Sequence, residues 1–324
     1  MNTRKTFTKY ENLLSFVSMA IHISGLSKTY SNGVSALKNI NVDIQQGDFF
    51  ALLGANGAGK TTLIGIITSL VNKTAGKVII NDIDLDVDPR LLRSIVGVVP
   101  QEFNFNIFET PLEIILNQAG YYGISRTEAM PFALELLEKL ALSEKKDVPS
   151  QTLSGGMKRR LMIARALIHK PTVLLLDEPT AGVDVELRVG MWEYLKQLNA
   201  DGVTILLTTH YLEEVEQLCN NAAIIKDGEI IKMDSVKNLL NSLQSEPYRI
   251  ELSEKTEITE KMTNSAPFKL VFIDSTTLEV SINESTSLQQ VIDWISSQKL
   301  NISGIRPKGN RLEELFLSLV AKPD

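Results

Sequence analysis

From residue 20 to about 232, short apolar or β-branched runs alternate with longer stretches whose apolar positions recur every three or four residues. The runs "DFFALLG" (48–54), "KVII" (77–80), "IVGVV" (95–99), "TVLLL" (172–176), "VTILLT" (203–208) and "AAIIK" (222–226) predict strands. Helical spacing follows Gly59, Pro111, Thr127, Gly155, Asp184 and Tyr211. Apolar strands with helices between them predict an α/β domain around a largely parallel sheet. Between 102 and 168 the pattern is almost wholly helical, which predicts a helical insertion in that core.

After a polar helix near 234–244 the character changes. "YRIEL" (248–252), "FKLVFID" (268–274) and "TLEVSI" (277–282) read as strands, and "LQQVIDWISSQ" (288–298) and "RLEELFLSLV" (311–320) as helices. Three parts are expected: an extension over 1–19, disordered for want of a core pattern, a main domain over 20–240, and a small α+β domain over 245–324. The start of the chain combines Arg4, Lys5 and Lys9 with the short apolar run "LLSFVSMAIHI" (13–23), which serines and His22 interrupt. It reads as an extension, with Met19 as an alternative first residue, more readily than as a signal peptide.

Composition narrows the function classes. With 33 Lys and Arg against 39 Asp and Glu, the net charge is −6, the wrong sign for a nucleic-acid-binding surface. The small domain carries nine basic and twelve acidic residues over 242–324, so the same holds there. Cys219 is the single cysteine, so no intrachain disulfide forms and a reducing compartment is expected. No apolar run reaches the roughly 18 residues that span a bilayer. Any membrane role is expected to run through a partner.

The strongest local signal is "GANGAGKTT", Gly54 to Thr62, between a predicted strand and a predicted helix over 60–70. It fits G-x-x-x-x-G-K-[ST], a loop whose amides close round phosphates. Gly54, Asn56, Gly57, Ala58, Gly59 and Thr62 belong to that cradle. Lys60 is expected on the β- and γ-phosphates and Thr61 on Mg²⁺, with the helix N-terminus adding its dipole. In "VLLLDEPTAGVD" (173–184) an apolar strand ends on Asp177 and Glu178. Strand alternation would point the two acids apart, Asp177 to the metal and Glu178 to a water as general base.

Three single residues join this set. His210 follows the strand at 203–208 and is a candidate γ-phosphate contact; Gln101 follows the strand at 95–99 and is a candidate Mg²⁺ or water contact. Tyr30, 24 residues before Gly54, is a candidate for stacking on adenine. "LSGGMKRRLMIARAL" (153–167) opens on Ser154, an N-cap type, followed by two glycines that helix propensity alone disfavours. Glycines there let an anion approach bare amides.

Tyr30, GANGAGKTT, Gln101, LSGGM, LLLDEP, the GVD at 182–184 and His210 stand in an order and spacing that resembles the nucleotide-binding subunit of ATP-binding cassette (ABC) transporters, over about 20–232. The resemblance implies that Ser154, Gly155 and Gly156 face ATP held by the phosphate loop of a second copy, with Asp184 across the interface and two nucleotides sandwiched head to tail. It implies ATP and Mg²⁺ as ligands, an ATPase mechanism, and a homodimer at the cytoplasmic face of the inner membrane on an integral membrane permease subunit, without nucleic acid. Met157 stands where this signature usually has glutamine. That feature and the ending "NRLEELFLSLV" (310–320) resemble the type-2 export subgroup, nearest to the bacterial YadG-type ATPases. "EFNFNIF" (102–108) would then offer a groove to a short helix of the membrane subunit, with buried core as the other reading.

The alternative function is a soluble, non-transport ABC ATPase. A translation-type protein would carry two phosphate loops, and one occurs here. A DNA-repair type would carry a long coiled coil, whereas Lys60 and Ser154 stand only 94 residues apart without sustained heptads.

Overall fold

The structure, a computed structural model, describes residues 18–180, 183, 185–242, 246–255, 266–282, 286–308 and 311–320. Contacts divide the chain between Met233 and Asp234, ahead of the polar helix rather than behind it. The extension over 1–17 lies outside the described residues. Ser18 and Met19 already belong to the fold, since Ser18 O accepts from Gln46 N and Met19 opens the first strand.

In the first unit the elements that carry the candidate site residues hang on a six-stranded sheet. Its members are β3 (Phe49–Leu53), β6 (Val96–Val99), β7 (Val173–Asp177), β8 (Thr204–Thr209), β9 (Asn221–Lys226) and β10 (Glu229–Ser235), in the order β10-β9-β3-β8-β7-β6. The pairs from β9 through β3, β8 and β7 to β6 are parallel. Every residue of β3, β7 and β8 is buried, which is why these strands read as unbroken apolar runs. Parallel pairing puts the C-terminal ends of β3, β6, β7 and β8 at one sheet edge, where the phosphate loop, Gln101, Glu178 and His210 all emerge.

A second sheet went unpredicted apart from its strand at 77–80, which lies here and not in the parallel sheet. β1 (Met19–Thr29), β2 (Ser35–Gln45), β4 (Ala75–Ile80) and β5 (Ile83–Asp84) form an antiparallel sheet in the order β2-β1-β4-β5. It shares one apolar cluster with α1 (Lys60–Ile67) and the large sheet, through Ile21, Leu37, Ile44, Leu63, Ile66, Leu52 and Leu175. The phosphate-loop helix is thus gripped from both sides.

Between β6 and β7 the predicted helical insertion is present as α3 (Pro111–Tyr121), α4 (Arg126–Lys139) and α5 (Gly155–Leu167). Each starts on a side-chain cap, Thr110, Ser125 and Ser154 in turn, and Thr110 completes a capping box with Glu113. The three helices pack on one another, and Ile115, Leu136, Leu137, Leu161 and Met162 are buried on them. Three further helices complete the unit: α2 (Pro89–Ile95), which precedes β6, α6 (Val185–Ala200), between β7 and β8, and α7 (Leu212–Leu218), after β8.

The second unit holds the antiparallel sheet β12-β13-β11-β14, made of β11 (Glu246–Leu252), β12 (Leu270–Phe272), β13 (Thr277–Ile282) and β14 (Ile302–Pro307). Its core joins Ile250, Leu270, Leu278 and Val280 to Val291 and Ile295 of α9 (Leu288–Ser297). α8 (Val236–Asn241) and α10 (Arg311–Val320) pack together beside it.

Candidate functional site

The phosphate loop keeps its shape because only glycine fits its ends. Gly59 sits at φ 113°, and a Cβ there would come within 2.6 Å of Ala36 O. At Gly54 a Cβ would meet Ile225 O at 2.7 Å. The loop leads into a cavity of about 340 Å³ lined by Ala36, Asn56, Gly57, Gly59, Lys60, Thr61, Thr62, Gln101 and Glu178. Ala58 lies buried behind it, its carbonyl accepting from Gly228 N at 3.1 Å.

Lys60 is 6% exposed, and its Nζ donates to Gly54 O at 2.7 Å and Ala55 O at 3.2 Å. An ammonium has three donors, so one remains for a ligand. Burial pulls Lys60 below the usual lysine value, and the carboxylates of Glu178 and Asp177 pull it back up.

The two acids diverge, though not by the alternation expected of a strand. Asp177 ends β7 and its carboxylate accepts from Thr208 Oγ1 on the neighbouring strand. Glu178 has left the strand: its backbone takes φ 49°, in the left-handed region, with its N–H on Thr208 O at 2.9 Å. That turn carries the side chain into the cavity wall. There Gln101 Nε2 donates to Glu178 Oε2 at 3.2 Å, and His210 Nδ1 lies 3.0 Å from Glu178 Oε1. Residues from three separate strand ends, 77 and 32 positions from Glu178, thus meet on one carboxylate.

Tyr30 stands at the rim, its hydroxyl 3.3 Å from Thr62 Oγ1. Lys28 Nζ lies 4.8 Å from the centre of its ring, covering one face in cation–π geometry. The ring therefore has one face left for a base.

Ser154, Gly155 and Gly156 do not line this cavity. Ser154 Oγ accepts from Met157 N at 3.2 Å, so the backbone, not the side chain, of Met157 completes the cap. Gly155 is exposed, and a Cβ there would meet nothing within 4 Å in this chain. The chain's own packing therefore does not call for glycine at position 155. Asp184 lies outside the described residues.

Four residues that sequence reasoning passed over support the site. Thr208 holds Asp177, and Arg159 grips the backbone at Pro100 and Gln101. Gly228 braces the phosphate loop. Glu214, fully buried on α7, accepts from Thr180 Oγ1; burial pushes its carboxyl up to about 7, against the opposing pull of Thr209, Trp192, Arg188 and His210.

The donors fit a hard cation beside a phosphate: the Thr61 hydroxyl, the Gln101 amide oxygen and the Asp177 carboxylate are all oxygen ligands. Among the described residues no cluster of three His, Cys, Asp or Glu could hold a metal alone. A magnesium site that completes its shell with substrate oxygens and water needs none.

The family model described as ABC transporter matches residues 37–181. The chain is 31% identical over 307 residues to the linearmycin resistance ATP-binding protein LnrL of Bacillus subtilis (strain 168), covering 93% of this chain and 98% of that one. It is 40% identical over 222 residues to the Nod factor export ATP-binding protein I of Burkholderia thailandensis, covering 68% and 73%. Among solved structures it is similar to a dimeric ATP-binding cassette in a post-hydrolysis state bound to ADP and Pi, at 33% identity and a TM-score of 0.62, over 67% of this chain and 98% of that one.

Proposed function

The chain belongs to the ABC transporter family of ATP-binding proteins, as an ATP-hydrolysing subunit of the exporter kind, and on that premise we propose how its residues divide the work. Glu178 polarises the attacking water. The observation that carries this is its carboxylate, pinned between Gln101 and His210 in the wall of the phosphate-loop cavity. A base needs reach to the water and a fixed orientation, and this grip supplies both.

Lys60 and the loop amides hold the β- and γ-phosphates, and His210 meets the γ-phosphate from the far side. In-line attack spreads charge over the phosphoryl oxygens, where fixed donors count most. Thr61, Gln101 and Asp177 would hold Mg²⁺, which supplies charge neutralisation between the phosphates when bound. Tyr30 stacks on adenine with the face that Lys28 leaves open.

Two copies close head to tail, each placing Ser154, Gly155 and Gly156 on the γ-phosphate held by the other. The unfilled space at Gly155 supports this reading, as does the dimeric assembly of the similar cassette. Asp184 is assigned to the same interface.

No helix among the described residues is long and apolar enough to cross a membrane. Closure and opening are passed to a separate integral membrane permease subunit, with this chain docked at the cytoplasmic face of the inner membrane, a reading supported by the export and resistance ATP-binding proteins it resembles. Phe103, Ile107 and Phe108 stand exposed in the loop after Gln101, which favours a docking groove over buried core there. Within the family, "NQAGYYG" and "LSGGMKRRLMIARAL" support placement beside the YadG-type ATPases. Turnover tests the assignment: the full-length chain should release phosphate from ATP and Mg²⁺, and Glu178→Gln should stop release while nucleotide still binds.

A further inference from the structure

Between Val99 at the end of β6 and Pro111 at the start of α3 the backbone has no regular structure to satisfy its polar groups. Gln101 lies in this stretch. Part-buried carbonyls there need donors from elsewhere. Those of Pro100 and Gln101 find the same side chain, while Asn104 O accepts from Arg165 Nη1 at 3.2 Å. Arg159, on the second turn of α5 and 4% exposed, donates from Nη1 to Pro100 O and from Nη2 to Gln101 O, both at 2.8 Å.

A buried guanidinium ordinarily has a carboxylate partner. Arg159 makes no contact ion pair among the described residues, although the Asp177 and Glu178 carboxylates act on its charge from further off. Its fork spans two successive carbonyls instead, and its plane lies 5.0 Å from the Phe103 ring centre, two residues further along the same loop. Three contacts to one short stretch fix its position. A planar fork with parallel donors suits two acceptors in a way that a lysine ammonium does not.

The consequence reaches the catalytic carboxylate. Arg159 holds the Gln101 carbonyl at 2.8 Å, and the Gln101 side chain holds Glu178 at 3.2 Å. The same α5 begins at the Ser154 cap.

We propose that Arg159 is a positioning residue for hydrolysis: by clamping the Pro100 and Gln101 carbonyls it sets Gln101 against Glu178. It joins the signature helix to the catalytic glutamate of its own chain. The inference rests on the roles given above to Gln101 and Glu178.

A double-mutant cycle on the full-length chain tests it, with kcat and KM for ATP measured for Arg159→Met, Gln101→Ala and the pair. Methionine keeps an apolar stem over Phe103 and removes both hydrogen bonds. Arg159→Met should lower kcat about ten-fold with KM within about two-fold, since misplacement of a catalytic neighbour slows chemistry without weakening binding. In the Gln101→Ala background the same substitution should change kcat by less than about two-fold. Arg159→Lys, which reaches one carbonyl, should fall between, and it carries the cycle should the methionine variant fail to fold. Equal slowing by the Arg159 change with and without Gln101, or no slowing at all, overturns the inference alone. A Gln101→Ala protein with undiminished turnover overturns the role of Gln101 and the inference with it.

Discussion

His210 Nδ1 lies 3.0 Å from Glu178 Oε1, while the opposite oxygen of the same carboxylate accepts from Gln101. Glu178 is 6% exposed and reaches this place through a left-handed backbone turn, so its orientation is imposed by the backbone and by both neighbours. His210→Ala should remove one of these two restraints and, with it, the proposed γ-phosphate contact. Turnover should fall on the order of 10²-fold, with nucleotide affinity changed far less. Phosphate release alongside calorimetric ATP binding checks this; a loss confined to affinity would assign His210 to binding alone.

Tyr30 presents a single free ring face, because Lys28 covers the other. Tyr30→Ala should weaken ATP binding by about 1–3 kcal/mol, the usual worth of an aromatic platform under a base. Tyr30→Phe loses only the long contact to Thr62 and should bind almost as the parent does. Equal losses in the two variants would assign the effect to the hydroxyl and not to stacking.

Gly228 braces the phosphate loop from outside the motif. It turns the β9–β10 hairpin at φ 80°, its N–H meets Ala58 O at 3.1 Å, and its carbonyl accepts from Lys38 N at 2.8 Å. A Cβ there would stand 2.7 Å from Ala36 O. Gly228→Ala should cost about 1–3 kcal/mol of stability and also raise KM for ATP. Denaturant melts and kinetics together check this, and a destabilised protein with unchanged KM would disconnect the hairpin from the loop.

Glu214 should give the protein a pH-dependent stability. Its carboxyl titrates near 4.5 when unfolded and about 7 when folded. Between those values the folded state keeps a proton that the unfolded state has lost, so rising pH favours unfolding. Below the window both states are protonated, and above it the full cost is present. Relative to Glu214→Gln, the parent should lose on the order of 3 kcal/mol between pH 5 and pH 8. Urea unfolding of both proteins at these two pH values decides it; a gap that does not move with pH would contradict the titration.

Contiguous chemistry was the legible part of the sequence. The phosphate loop, the acids at the end of β7 and the capped start of α5 each lie within a dozen residues, and buried parallel strands announce themselves as apolar runs. The β1–β2 pair was hidden by its irregularity. Its register shifts between Ile23 and Leu26, and again between Leu26 and Lys28, while Asn39 takes φ 51°, so no clean two-residue alternation survives. α2 was missed although Asp88 and Pro89 mark its start as cap and first turn. Arg159 sits in the run "KRR", which reads as a solvated face, and backbone carbonyls as partners leave no trace in sequence. The lysine over Tyr30 was equally invisible, because it depends on where two side chains of one strand end turn.

In the proposed cycle a nucleotide is shared between two copies and cleaved with the help of Glu178. The most direct measurement is the molar mass of Glu178→Gln by light scattering in saturating ATP and Mg²⁺, and again in ADP. Glutamine keeps the shape of the side chain and removes the proton acceptor, so ATP should stay intact between Lys60 of one copy and Ser154 of the other. Glu178→Gln should be a dimer in ATP and a monomer in ADP, and a monomer in both once Ser154→Arg blocks the α5 N-terminus and removes its cap. A Glu178→Gln protein that stays monomeric in ATP, or a Ser154→Arg double variant that still dimerises, would contradict it.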